Sequence, residues 1–430
     1  MDPATNLSFA VVVVLSAFGL LADKRRHSLN QVFFIFQVSF MGIIPWVQVS
    51  TGRLPWGVRI TSDSIQFANF LTATFVSCYL LSYHLSRGRS WHISIRPLAL
   101  RRGSCWSLLG ISAAILLWII LQYGPDVLVY RDQWASVRTA FEDSSSAQLF
   151  STFVRQFPFI LLFAFLTYGD RSYRVEKILG TLLLLALAFP TAVLRSQLGA
   201  MFIAFLTLYL DRRHTRRSPH ILMLLVGVIA IYPLMGIFRY ASMGTTAASA
   251  EVYLQSFQGG DFDGFAMLVQ AGHHVQTQGL SMGNQLLGAL LFFVPRSLWP
   301  TKPIGSGQML ANTSNWEFSQ VSCPAQAEAY LNFGVLGVVL FGLVYGTTLR
   351  RLDVSFQRDT STLGAGLARF IYAPTLGLLF LNLRGDMMSS ISFVALSVVL
   401  VVGIRIVALR PAMLSSHSSS EGTMKGDRIS

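Results

Sequence analysis

Residues Leu7–His27 read "LSFAVVVVLSAFGLLADKRRH". An uncharged apolar run from Leu7 to Ala22 passes directly into Asp23, Lys24, Arg25, Arg26 and His27. The run is close to the roughly 17–25 residues that an α-helix needs to cross a bilayer. No basic residue precedes it, and three follow. A cleavable export signal has the opposite order, cations first. The run therefore reads as a retained first span with its N-terminus outside, because cations collect on the cytoplasmic side of a membrane.

The rest of the chain repeats this pattern. Its 430 residues are 53% hydrophobic and only 12% charged, with a mean hydropathy of +0.53. Soluble domains carry about twice that share of charge. Further apolar runs predict spans at 29–48, 65–83, 105–122, 148–168, 178–194, 197–210, 220–238, 326–347, 361–381 and 389–406. The predicted fold is an all-α polytopic membrane protein of about eleven transmembrane helices, N-terminus outside and C-terminus in the cytoplasm. The short alternating segments of a transmembrane β-barrel are not present.

The charges support that alternation. Of the 33 Lys and Arg, 22 fall on the predicted inner side, counting Arg405 at the inner end of the last span, and Arg155 and Arg369 fall deeper within spans. A net charge of +13 spread this way is a positive-inside bias, so no nucleic-acid partner is expected. Cys78, Cys105 and Cys323 form no metal or disulfide spacing. Four regions follow: an N-terminal transmembrane bundle (1–238), a large outer loop (239–325), C-terminal transmembrane helices (326–410) and a polar, Ser-rich tail (411–430) read as disordered.

The loop is the feature that calls for a function, since connections this long in compact proteins are usually functional. It contains "AEVYLQSF", "GFAMLVQAGHHV" and "NQLLGALLFFVP", helix-like stretches too short or too polar to span. The last of these leads into "PRSLWPTKP", where Arg296, Trp299 and Lys302 stand among Pro295, Pro300 and Pro303. A plain interfacial anchor of an indole and snorkelling cations is one reading. The prolines favour another, a rigid backbone presenting an arginine fork and a lysine to an anionic headgroup.

The remaining outer polar residues each carry two readings. Arg195, in "VLRSQL" between two close spans, either snorkels or binds an anion at the leaflet surface. Arg239 terminates its span, as interfacial arginines often do. Asp261 and Asp263 in "GGDFDGF" read as a turn and a helix N-cap rather than a metal-holding pair. His273 and His274 are adjacent, so on a helix they diverge and do not chelate one metal together. Glu328 is either a carboxylate at a helix N-terminus or a base for a sugar hydroxyl. In "NLRGDMM", Arg384 either pairs with Asp386 in a tight turn or binds phosphate.

Taken together, "FVPRSLWPTKP", "AEAYLNFGVLG" opening a span, "RGD" in the last outer turn and "RSQLG" between paired spans resemble the Wzy-type oligosaccharide repeat unit (O-antigen) polymerases. That resemblance implies a GT-C-type membrane glycosyltransferase in the bacterial inner membrane, acting at its periplasmic face without a cofactor or metal. Its substrates would be undecaprenyl-pyrophosphate-linked glycans, and its neighbours membrane lipids, a chain-length regulator and a flippase. Arg195, Arg296 and Arg384 would form a pyrophosphate clamp, with Arg239, Trp299, Lys302 and Asp386 beside it and Glu328 as base. An O-antigen ligase and a lipid-linked oligosaccharide flippase are the alternatives.

Overall fold

The computed structural model describes residues 1–86, 98–130, 133–139, 144–212, 217–233, 253, 255–359 and 365–411. In chain order the main helices are α1 (Pro3–Ala22), α2 (Leu29–Ser50), α3 (Ser62–Leu85), α4 (Arg102–Tyr123), α5 (Ser144–Tyr168), α6 (Arg174–Leu187), α7 (Arg195–Arg212) and α8 (Arg217–Val226). Among the described residues of the loop, three short α-helices follow: α9 (Gly264–Gln278), α10 (Asn284–Leu290) and α11 (Ser306–Thr313). Then come α12 (Ala325–Asp359), α13 (Ala365–Arg384) and α14 (Met387–Ala408). Among the described residues, 7 of these helices are long and apolar enough to cross a membrane. The chain is a predominantly helical membrane protein.

Local chemistry explains where several helices start and bend. Asp2 accepts from the Thr5 N–H at 2.6 Å to cap α1, with Pro3 in the first turn, where a missing N–H is harmless. Thr61 and Ser64 form a capping box at the start of α3. The centre of α2 widens into a π-helical stretch, Gln37–Ile43, just ahead of Pro45, which has no N–H to give back to the preceding turn. A second π-helical stretch, Gly227–Ile231, continues α8.

Two predicted boundaries need correction. The span placed at 326–347 belongs to a helix that runs on to Asp359, so Arg350 and Arg351 lie on its surface rather than in a connection. Near its start that helix breaks at Phe333 and Gly334, the latter at φ 63°, a conformation that glycine adopts without steric penalty. The break sets residues 325–332 apart as a short segment under the loop. The connection before α7 is also longer than expected, because α6 stops at Leu187 and Arg195 opens the next helix. A two-stranded antiparallel ribbon was not expected either. It pairs Leu98 with Pro411 and Leu100 with Leu409.

The main core packs α2 against α3, α12 and α13, with the Phe33 and Tyr79 rings stacked at 3.6 Å. The loop helix α9 and the turn before it continue this core through Phe262, Phe265 and Leu268, so this part of the loop is a packed part of the molecule. At the end remote from the loop, buried Asp353 accepts from Arg25 at 2.7 Å, Tyr83 at 2.6 Å, Tyr372 at 2.5 Å and the Leu29 N–H at 2.9 Å. Four donors on one carboxylate satisfy a charge that burial would otherwise make costly. Both in-span cations are held too: Arg369 pairs with Asp211, and Arg155 lies 4.4 Å over the Trp134 ring and donates to the Ala192 carbonyl.

Candidate functional site

Helices α7 and α13 pack along one another in opposite senses, which brings Arg195, the first residue of α7, and Arg384, the last of α13, to the loop end of the bundle. Arg384 suits its place, since a cation is favoured at a helix C-terminus. Arg195 stands at the unfavourable N-terminal end and requires a counter-charge. The loop supplies both partners from the 260–263 turn. Asp261 forms an ion pair with Arg195. Arg384 donates Nε to the Asp261 carbonyl at 2.9 Å and Nη2 to the Gly260 carbonyl at 2.8 Å, and the same Nη2 lies 3.3 Å from Asp263 Oδ1.

The turn itself is fixed from three sides. The other Asp263 oxygen accepts from Trp56 Nε1 at 2.9 Å and from the Ser322 N–H at 3.1 Å. Gln48 Nε2 donates to the carbonyls of Phe257 and Phe262. The Phe262 ring stacks on Phe40 at 5.1 Å and meets the Tyr232 ring at 5.5 Å. Position 260 admits only glycine here, because a Cβ would come within 1.9 Å of the Trp56 ring. Trp56 adopts φ 64°, a strained conformation for a bulky side chain and one that clusters at functional sites.

Two expectations for this region are corrected. Asp263 precedes α9, but its carboxylate makes no capping bond and goes to Arg384, Trp56 and Ser322 instead. Arg384 does not close a tight turn with Asp386. Asp386 caps α14 by accepting from the Ser389 N–H at 3.0 Å and the Ser389 hydroxyl at 2.8 Å, and its carboxylate lies against Gly305.

Glu328 is 1% exposed and braces the other side of the same turn. One oxygen accepts from Ser306 Oγ at 2.7 Å and the other from the Met387 N–H at 2.7 Å. Residues 384–387 are thus gripped twice, by the 260–263 turn through Arg384 and by the α12 start through Glu328.

The "PRSLWPTKP" cations have a local task. Lys302, 3% exposed, donates to the Phe292 carbonyl at 2.6 Å and the Val294 carbonyl at 2.8 Å. Arg296 donates to the Lys302 carbonyl at 2.6 Å and the Pro303 carbonyl at 3.0 Å. The prolines keep this stretch from being helical, and the two cations supply bonds to carbonyls that have no helical partner in it. Half-buried Trp299 donates Nε1 to Thr301 at 3.1 Å. Arg239 and half of "AEVYLQSF" lie outside the described residues. His274 is buried beside Thr313, 3.0 Å from its hydroxyl, and burial holds its pKa below the usual histidine value.

Sequence reasoning missed Trp56, Gln48, Ser306 and Tyr232. "LPWG" offered a faint signal, a tryptophan between Pro55 and Gly57. Tyr232 offered none, since it reads as one more aromatic in an apolar run. Set beside known proteins, the chain matches no family model, no curated protein and no solved structure.

Proposed function

We propose that this chain polymerises polyprenyl-pyrophosphate-linked oligosaccharide repeat units at the outer face of a bacterial inner membrane. The observation that carries the reading is the convergence of Arg195 and Arg384, from two separate helices, on one turn of the loop. Two guanidiniums brought together at the loop end suit a ligand with two adjacent anionic centres, and arginine binds phosphate bidentately. The reading includes about eleven spans, an outside N-terminus and an outer loop at 239–325, with the clamp at the surface of the outer leaflet.

The chemistry asked of the clamp is leaving-group stabilisation. A hydroxyl oxygen of the acceptor sugar bonds to the donor's anomeric carbon as the bond from that carbon to the pyrophosphate oxygen breaks. The electron pair departs with polyprenyl pyrophosphate, and the hydroxyl proton ends on the departing pyrophosphate, passed directly or through water. Negative charge grows on the pyrophosphate, where fixed cations lower the barrier. Glu328, with both oxygens already accepting hydrogen bonds, acts in this account by holding the 384–387 turn in place. Arg296 and Lys302 act by holding their loop rigid, with Trp299 at its surface.

Deleting the gene and resolving surface polysaccharide by gel tests the reading. A polymerase loss leaves a single repeat unit on the carrier core. Loss of every unit from the core would instead indicate a ligase, and units trapped inside the cell a flippase. Orientation is tested separately with single cysteines at positions 214 and 275 in a cysteine-free background. An impermeant thiol reagent should label 275 and spare 214 in intact spheroplasts.

A further inference from the structure

The Tyr232 hydroxyl is buried and has no hydrogen-bond partner among the described residues. Buried polar groups without a partner are rare, and each one needs an explanation. The ring cannot swing away to find water, since Phe40, Phe262 and Phe380 surround it at centroid distances of 6.0, 5.5 and 6.3 Å. Among the described residues, the charges that act on this hydroxyl are Arg384, Arg195 and Asp263, the clamp itself. It follows directly on the π-helical stretch Gly227–Ile231, a widened turn of a kind that recurs at functional sites.

The two aspartates of the clamp are not equivalent. Asp263 is 1% exposed and holds Arg384, Trp56 and the Ser322 N–H at once. Asp261 has a side chain 22% exposed and reaches the site through its ion pair with Arg195. One carboxylate is built in, and the other lies at the surface where solvent can replace it.

We propose that Tyr232 is a third donor of the anion site and that Asp261 is its displaceable counter-ion. A pyrophosphate oxygen takes the place of the Asp261 carboxylate on Arg195 and accepts a hydrogen bond from the Tyr232 hydroxyl. Asp261 swings toward water, where its charge is solvated. Asp263 stays and keeps Arg384 aimed. The exchange is one anion for another, so no buried cation is left uncompensated at any stage. It also gives selectivity, because a ligand must carry enough charge to displace a carboxylate already in place. This inference rests on the polymerase reading for the identity of the pyrophosphate, as the headgroup of a polyprenyl lipid.

The test uses the purified full chain in lipid nanodiscs and three probes: farnesyl pyrophosphate, farnesyl monophosphate and inorganic pyrophosphate. Wild type should bind farnesyl pyrophosphate in preference to the monophosphate. Tyr232→Phe should weaken that binding by about tenfold, the scale of one hydrogen bond to a charged group, with unchanged thermal unfolding. Asp261→Asn should tighten it several-fold, the opposite of what loss of a structural ion pair would do. Inorganic pyrophosphate binding as tightly, with the same response to both variants, would support the site and assign it a free anion. Wild-type binding that neither variant alters overturns the inference and leaves the polymerase reading standing. Failure of wild type to bind either pyrophosphate overturns both.

Discussion

Arg384 and Asp263 meet at 3.3 Å although 121 residues separate them in the chain. One ends the penultimate helix and the other begins the loop's longest helix. Their contact docks the loop onto the bundle at the point where the last two helices turn. A guanidinium at that junction is aimed by protein on three atoms before any ligand arrives, and such preorganisation is what electrostatic catalysis requires.

Asp263→Asn discriminates a cap from a brace. An asparagine caps a helix about as well as an aspartate, so a capping role predicts a mild effect. The structure gives the carboxylate a buried arginine to hold, and breaking such a pair costs roughly 3–5 kcal/mol. Surface polymer in cells expressing Asp263→Asn should fall at least tenfold on gels, while Asp261→Asn cells retain it.

Arg195→Ala and Arg384→Ala should each leave protein in the membrane and reduce polymerisation by about thirty- to a thousandfold. That range corresponds to 2–4 kcal/mol of lost transition-state stabilisation. Lysine at either position should restore only part of the rate, for lack of the fork. Polymer length on gels, normalised to membrane-inserted protein, is the readout. Normal polymer from both alanine variants contradicts the clamp.

Lys302→Met should act on stability first. It removes the donor to the Phe292 and Val294 carbonyls, and each buried carbonyl left bare costs about 1–3 kcal/mol. Thermal unfolding in detergent should shift down by several degrees. Arg296→Ala, which frees the Lys302 and Pro303 carbonyls, should show the same shift with a smaller amplitude, since that side chain is half-buried.

The pH dependence of stability has a contribution from His274, whose pKa burial lowers from 6.5. Below pH 6.5 the unfolded chain takes up a proton that the folded chain refuses, so stability falls as pH drops from that point toward the folded pKa. His274→Gln should flatten this limb of the unfolding curve below about pH 6.5. Equal slopes for variant and wild type would contradict the assignment.

The sequence made the helical membrane class legible because span length and cation placement are one-dimensional properties that a bilayer imposes directly. Individual arginines were legible for the same reason: Arg195 and Arg384 stood out as cations on the predicted outer side, where cations are expected to be scarce. Their partners were not, since Asp263 reads as a cap from its neighbours in sequence, and only the docking of the loop turns its carboxylate toward Arg384. Arg296 and Lys302 show the converse. Prolines marked their loop as rigid, yet which carbonyls the two cations would meet depended on how the loop folds back. Tyr232 was beyond reach of any sequence signal, because its significance lies in a partner that its hydroxyl lacks.

The most direct measurement uses the lipid-linked single repeat units that should accumulate in a strain deleted for the gene. Purified chain in nanodiscs, given those units alone, should lengthen the lipid-linked glycan by whole repeats. Mass spectrometry should count one polyprenyl pyrophosphate released per linkage formed. Units that remain single, with no polyprenyl pyrophosphate released while wild-type protein stays folded, would contradict the account.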